Sequence, residues 1–165
     1  MLKPQDVVVA IRLAMLEGEG ISYPALAAAV GISASEAHAA VQRGIASGLI
    51  EKTRRPRRGA LLEFLVHGLK YAFPPEWKGV SRGVPTSAAA PPLQSQFASG
   101  ELPPVWPHPH GSVRGEGLVP LYRSAPDAAL RDPALYEWLA LIDAVRAGRA
   151  RERNLAVAEL TRRLA

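Results

Sequence analysis

Eleven of the 15 prolines in this chain fall within residues 74–126, accompanied by six glycines. Proline has no amide hydrogen and pushes the residue before it out of helical conformation, so no long helix runs through this stretch. Turns and extended segments are predicted there. Residues 5–73 and 127–165 instead carry apolar side chains at helical spacing. The chain therefore divides into an N-terminal helical domain (1–73), a proline-rich extended arm (74–126) and a C-terminal helical segment (127–165). The predicted fold class is mainly α.

The arm keeps Trp77, Phe97, Trp106, Leu118, Val119, Leu121 and Tyr122 among its prolines. Disordered linkers are poor in aromatics, so the arm is expected to wrap over the helices as an irregular strap, most mobile over 81–100. With 165 residues the chain suffices for one substantial core or a small domain with appended structure. It has no cysteine, hence no disulfide framework, thiolate metal site or cysteine nucleophile, which fits a reducing compartment, the cytoplasm. Arg12 interrupts the apolar run "VVVAI", which is not read as a leader, and no run of about 18 apolar residues suggests a membrane span.

Within the first region, Val7, Val8, Ile11, Ala14 and Met15 predict a helix from Pro4 to "EGEG". Ser22 is expected to cap a second helix with Pro24 in its first turn, and Ser33 a third, with Glu36 completing an S-x-x-E capping box. Ala27 suits a close helix crossing, Gly31 a turn with positive φ and Ile32 a plug beneath it. Ala37, Val41, Ile45 and Leu49 form the inward stripe of the third helix, while Ser35, His38, Ala39, Gln42 and Arg43 face outward or flank that face. Immediately afterwards, "EKTRRPRRG" sets Lys52, Arg54, Arg55, Arg57 and Arg58 against the single Glu51, a local net charge of +4 in a chain whose formal charge is +5. Such a cluster attracts polyanions or is a solvated loop.

Three helices with a tight turn before the third follow the helix-turn-helix plan. The segment "LAAAVGISASEAHAAV", residues 26–41, resembles the winged helix-turn-helix transcriptional regulators of bacteria, of the MarR-like and Lrp-like kind. The resemblance covers about residues 5–58. It implies a third helix in the major groove, with Ser33, Ser35 and His38 meeting phosphate or bases near its start and Gln42 and Arg43 reaching further along. The basic loop, Lys52, Arg54, Arg55, Arg57 and Arg58, would then lie on phosphates. The sequence departs from that pattern after the loop, where "ALLEFLVHGLKYAF" predicts a fourth helix rather than a returning strand.

Other features point elsewhere only weakly. His108 and His110 lack further ligands and read as a solvated turn rather than a metal site, and His67 reads as a partly buried helix histidine. "GSVRGEG" lacks the strand and helix that would make it a phosphate loop and reads as an exposed turn. No nucleophile, base and orienting group come together, so the expectation is a non-enzyme with no cofactor. Asp132 and Pro133 begin a C-terminal helix with Leu135, Leu139, Ile142 and Val145 inward, Gly148 breaks it, and a second helix carries Leu155, Ala158, Leu160 and Leu164. Arg146, Arg149, Arg151 and Arg153 around the break are expected to be solvated beside Glu152. The expected partners are double-stranded DNA and a second copy of the chain. The other reading is an antitoxin-like or adaptor protein that holds a partner protein through the arm and C-terminal helices.

Overall fold

A computed structural model describes residues 1–165. Helix α1 (Pro4–Met15) starts at Lys3, whose amide donates to Asp6 Oδ2. Helix α2 (Tyr23–Val30) is capped by the Ser22 hydroxyl, which accepts from Ala25 N, and ends at Gly31 in the left-handed region with φ +83°. Helix α3 (Ala34–Ala46) begins at Ser33, whose hydroxyl accepts from Glu36 N. Only that half of the expected capping box forms, because the Glu36 carboxylate is drawn instead to Gln5 and Arg43. The three helices pack on one another through Val7, Val8, Ile11, Leu26, Ala27, Val30, Ala37 and Val41, all buried. Ile32 and Ile45 are half-buried beside them.

The leucine-rich stretch after the basic loop is helical, as its length predicts: α4 (Arg58–Glu63), a π-helical turn (Phe64–Gly68) and α5 (Leu69–Ala72). Leu61, Leu65 and Leu69 turn inward. His67 is exposed, which corrects its reading as partly buried: with Leu65 and Leu69 facing the core, the position between them faces out.

The arm is more regular than a strap. It forms β1 (Trp77–Pro85), β2 (Pro104–Pro107) and β3 (Val113–Leu118), and "GSVRGEG" runs into β3 instead of forming an exposed turn. β1 pairs antiparallel with both partners while β2 and β3 pair parallel, so the three strands close on one another. So small a closure leaves no room for side chains at its crossings. A Cβ at Gly83 would strike the Trp106 carbonyl, and one at Gly115 the Pro103 carbonyl. Residues 86–93, expected to be mobile, contribute Thr86, Ser87, Ala88, Ala90 and Leu93 to the buried set.

The chain resumes helix in α6 (Ala125–Arg131), α7 (Pro133–Ala147) and α8 (Ala150–Arg163). Asp132 caps α7 by accepting from Ala134 N and Leu135 N. One core of 35 buried residues draws on all three stretches of the sequence, from Val7 through Trp106 to Leu160. The protein is thus mainly α-helical with a small mixed three-stranded sheet. None of its helices is long and apolar enough to cross a membrane.

A buried polar node fastens the strands to α7. Asp143 Oδ2 accepts from Thr86 Oγ1 and Trp106 Nε1, both at 2.7 Å, and Oδ1 accepts from Arg146 Nε and Nη2 at 3.3 and 3.2 Å. Arg146 donates onward to the Phe73 and Val119 carbonyls, which flank the three strands in sequence. It is buried, correcting its placement among solvated arginines, whereas Arg149 and Arg151 are exposed. Burial pushes the Asp143 carboxyl up, and the Arg146 guanidinium pulls against it. All four partners only donate here, so the ionised carboxylate is the form this geometry serves.

At the other end of α8, Glu159 takes Arg162 Nε at 3.0 Å and Arg163 Nε at 2.8 Å. These bonds, Arg162 first, hold the Glu159 carboxyl at about 2, below its ordinary 4.5. A depressed carboxyl stabilises the fold above its unfolded value and loses that contribution as pH falls toward the folded one. The stability contributed by Glu159 is therefore expected to fade over the window from 4.5 down to about 2. Glu159→Gln is expected to flatten that limb of a Tm-versus-pH curve by less than ~1 kcal/mol, as for other partly solvated pairs.

Candidate nucleic-acid interface

The outward side of α3 is open. Ser35, His38, Gln42 and Ala46 are exposed at helical spacing, and Ser33 is exposed at the cap. Neither the arm nor the terminal helices cover these positions. Ser33 Oγ is already engaged with Glu36 N and lies 3.2 Å from Ser35 Oγ, so Ser35, His38 and Gln42 are the freer side chains.

Arg43 stands apart from them, which corrects its expected place among the outward readers. Its Nε and Nη2 make two 2.8 Å bonds to the fully buried Asp6, and Nη2 also reaches Glu36 Oε1 at 2.6 Å. These bonds raise the Arg43 pKa, and Gln5 with Arg43 lowers that of Glu36. The guanidinium is a staple between α1 and α3.

The basic loop follows at once. Leu49 O accepts from Arg57 N, Glu51 N donates to Arg55 O, and Ile50 bridges Pro56, so the loop is a one-bridge hairpin before α4. Arg54, in the left-handed region at φ 67°, turns inward. Its Nη1 bonds Ile21 O at 3.0 Å and its guanidinium covers the Tyr23 ring at 4.8 Å. Tyr23 in turn meets the His38 ring edge-on at 5.0 Å. The stack Arg54–Tyr23–His38 thus joins the loop, the start of α2 and the outer side of α3 into one surface.

Arg58 is also committed, donating 3.1 Å bonds to the Arg163 and Ala14 carbonyls. Lys52, Arg55 and Arg57 are exposed and make no side-chain bond or ion pair, so they are the cations free for an external anion. The five basic residues of the loop divide into two that build it and three that present charge.

One functional candidate escaped the sequence reading. Helix α6 lies against the α2–α3 turn: Ser124 Oγ donates to Val30 O at 2.8 Å, and Arg131 Nη2 to Ala28 O at 3.3 Å. A Cβ at Gly31 would come within 3.0 Å of Ser124. Arg131 remains exposed and adds a cation beside the start of α3. Nothing local in its sequence signals this, since Ala28 is 103 residues away.

The histidine pair behaves as a turn. His108 Nδ1 accepts from His110 N and its Nε2 lies 2.7 Å from Asp127 Oδ1, leaving one ring nitrogen bonded to the backbone and the other to a carboxylate. No group of three or more His, Asp or Glu side chains is arranged to hold a metal ion. No protein-family model matches the chain, and no curated protein or solved structure does either.

Proposed function

We propose that the protein is a DNA-binding transcriptional regulator in which α1–α3 act as a helix-turn-helix, with α3 in the major groove and the basic hairpin as a short wing on the phosphates. The observation that carries this reading is the Arg54–Tyr23–His38 stack, which ties the loop bearing the three unpaired cations Lys52, Arg55 and Arg57 to an uncovered polar helix side (Ser35, His38, Gln42). An α-helix fits the major groove, and side chains of this size on its outer side let the backbone approach the base edges. Two copies of the chain would present two such helices to a palindromic site.

Gln42 is the best placed base reader, since its amide can bond adenine through two atoms and nothing within the protein occupies it. Selection from a random duplex pool should give a preferred sequence for the parent protein. Gln42→Ala is expected to cost about 1–3 kcal/mol against that sequence while leaving affinity for unrelated duplex nearly unchanged. Equal loss on all sequences would show that Gln42 reads no base.

A further inference from the structure

The sheet carries a second cationic feature that neither the wing nor the core explains. Where β1 and β3 pair, Gly83, Gly115 and Gly117 are buried, while Val80, Arg82, Arg114 and Glu116 share one side of the pleat and are exposed. The register sets Arg82 directly opposite Arg114, and Val80 opposite Glu116. Like charges placed directly across an antiparallel pair destabilise it. Neither guanidinium is relieved from within the protein: neither makes a side-chain hydrogen bond, and no carboxylate lies within ion-pair distance of either. Glu116, the nearest acid in register, faces Val80 instead.

A short run of contacts ties this pair to the proposed groove-binding unit. Arg82 O accepts from His108 N at 3.2 Å, and His108 Nε2 meets Asp127 of α6 at 2.7 Å. One helical turn back along α6, Ser124 holds Val30 at the end of α2. These links join the arginine pair to the end of α2, just before α3, through α6.

We infer that the outward side of the β1–β3 ribbon is a second phosphate contact for the same duplex, with the facing Arg82 and Arg114 guanidiniums closing on backbone phosphate. The inference rests on the DNA-binding reading above and extends its footprint beyond the wing. Each planar fork matches the oxygens of one phosphodiester, so the pair would take two neighbouring backbone phosphates, and the anions remove the repulsion that the free ribbon carries. Fold and binding therefore make opposite demands on this pair, as at functional sites where local stability is given up.

That opposition is the test. The parent protein, Arg82→Ala/Arg114→Ala and Arg82→Glu are titrated with a mixed-sequence duplex across a salt series, and their Tm values are measured. The double variant is expected to flatten the plot of log K against log salt by about two, one per lost phosphate contact, and Arg82→Glu by at least about one. Arg82→Glu should also raise Tm by about 1–4 °C, because it turns a repulsive cross-strand pair into an attractive one. An unchanged salt slope in both variants, with the parent binding DNA, overturns the ribbon contact and leaves the wing and α3 standing. Weaker binding accompanied by a lower Tm also overturns it, since the pair would then serve the sheet's own stability. A parent protein without salt-dependent binding removes the DNA reading and this inference together.

Discussion

Asp143→Ala is expected to lower the unfolding free energy by about 3–5 kcal/mol, the scale for removing one partner of a buried ion pair. The remaining guanidinium of Arg146 would stay buried with only the Phe73 and Val119 carbonyls to meet it, and the Thr86 hydroxyl and Trp106 indole would each lose an acceptor. Every one of those groups lies where the arm meets α7, so the loss is local before it is global. Urea titration monitored by tryptophan fluorescence, with Trp106 at the node, gives the free energy directly. Asp143→Asn is expected to cost less than Asp143→Ala because the amide oxygen keeps one acceptor. A change below about 1 kcal/mol in the alanine variant would mean that the strands are held by apolar packing alone.

Asp143 also shows where reading the sequence stops. The helix starts were legible because their signals are local: Ser22, Ser33 and Asp132 each cap a helix through amides two or three residues away. The inward stripes of α1, α3 and α7 were legible for the same reason, as was the helical character of 58–72. The arginines that turned inward were not. Arg43 finds Asp6 at a separation of 37 residues, Arg146 finds Phe73 at 73, and Arg58 finds the Arg163 carbonyl at 105. A guanidinium looks the same in sequence whether its partner is water or a buried carboxylate.

The sheet was hidden by its glycines. "GVSRGVP" and "VRGEGL" lack the dense β-branched and aromatic pattern of ordinary strands, and strand-breaking prolines surround them. In the folded chain those glycines are what allows three strands to close at backbone contact, with Gly83 against Trp106 and Gly115 against Pro103. The facing arginines of the ribbon come together only once the register aligns Arg82 with Arg114. Of the candidate DNA-contacting residues, Ser35, His38, Gln42, Lys52, Arg55 and Arg57 remain on the open surface. Ser33 is engaged as a cap, and Arg43, Arg54 and Arg58 brace the scaffold that presents the rest.

The second large effect is expected at the wing. Lys52→Ala/Arg55→Ala/Arg57→Ala removes three exposed cations that hold nothing inside the protein, so Tm should move by little. Affinity for duplex DNA should fall on every sequence alike, and the salt slope should flatten by about three. Arg54→Ala is the informative contrast: it breaks the bond to Ile21 O and the stack on Tyr23 and His38, so it should disturb the wing's shape and not merely its charge. A triple variant that binds as well as the parent would place the phosphates elsewhere on the protein.

Duplex binding through an open α3 flanked by unpaired cations is checked by titrating a labelled mixed-sequence duplex with the parent protein between about 50 and 200 mM salt. Three cations on the wing and two on the ribbon predict a log–log slope near −4.5 for each bound chain, about 0.9 for each phosphate neutralised. No measurable binding at the lowest salt, or an affinity that does not change with salt, would contradict it.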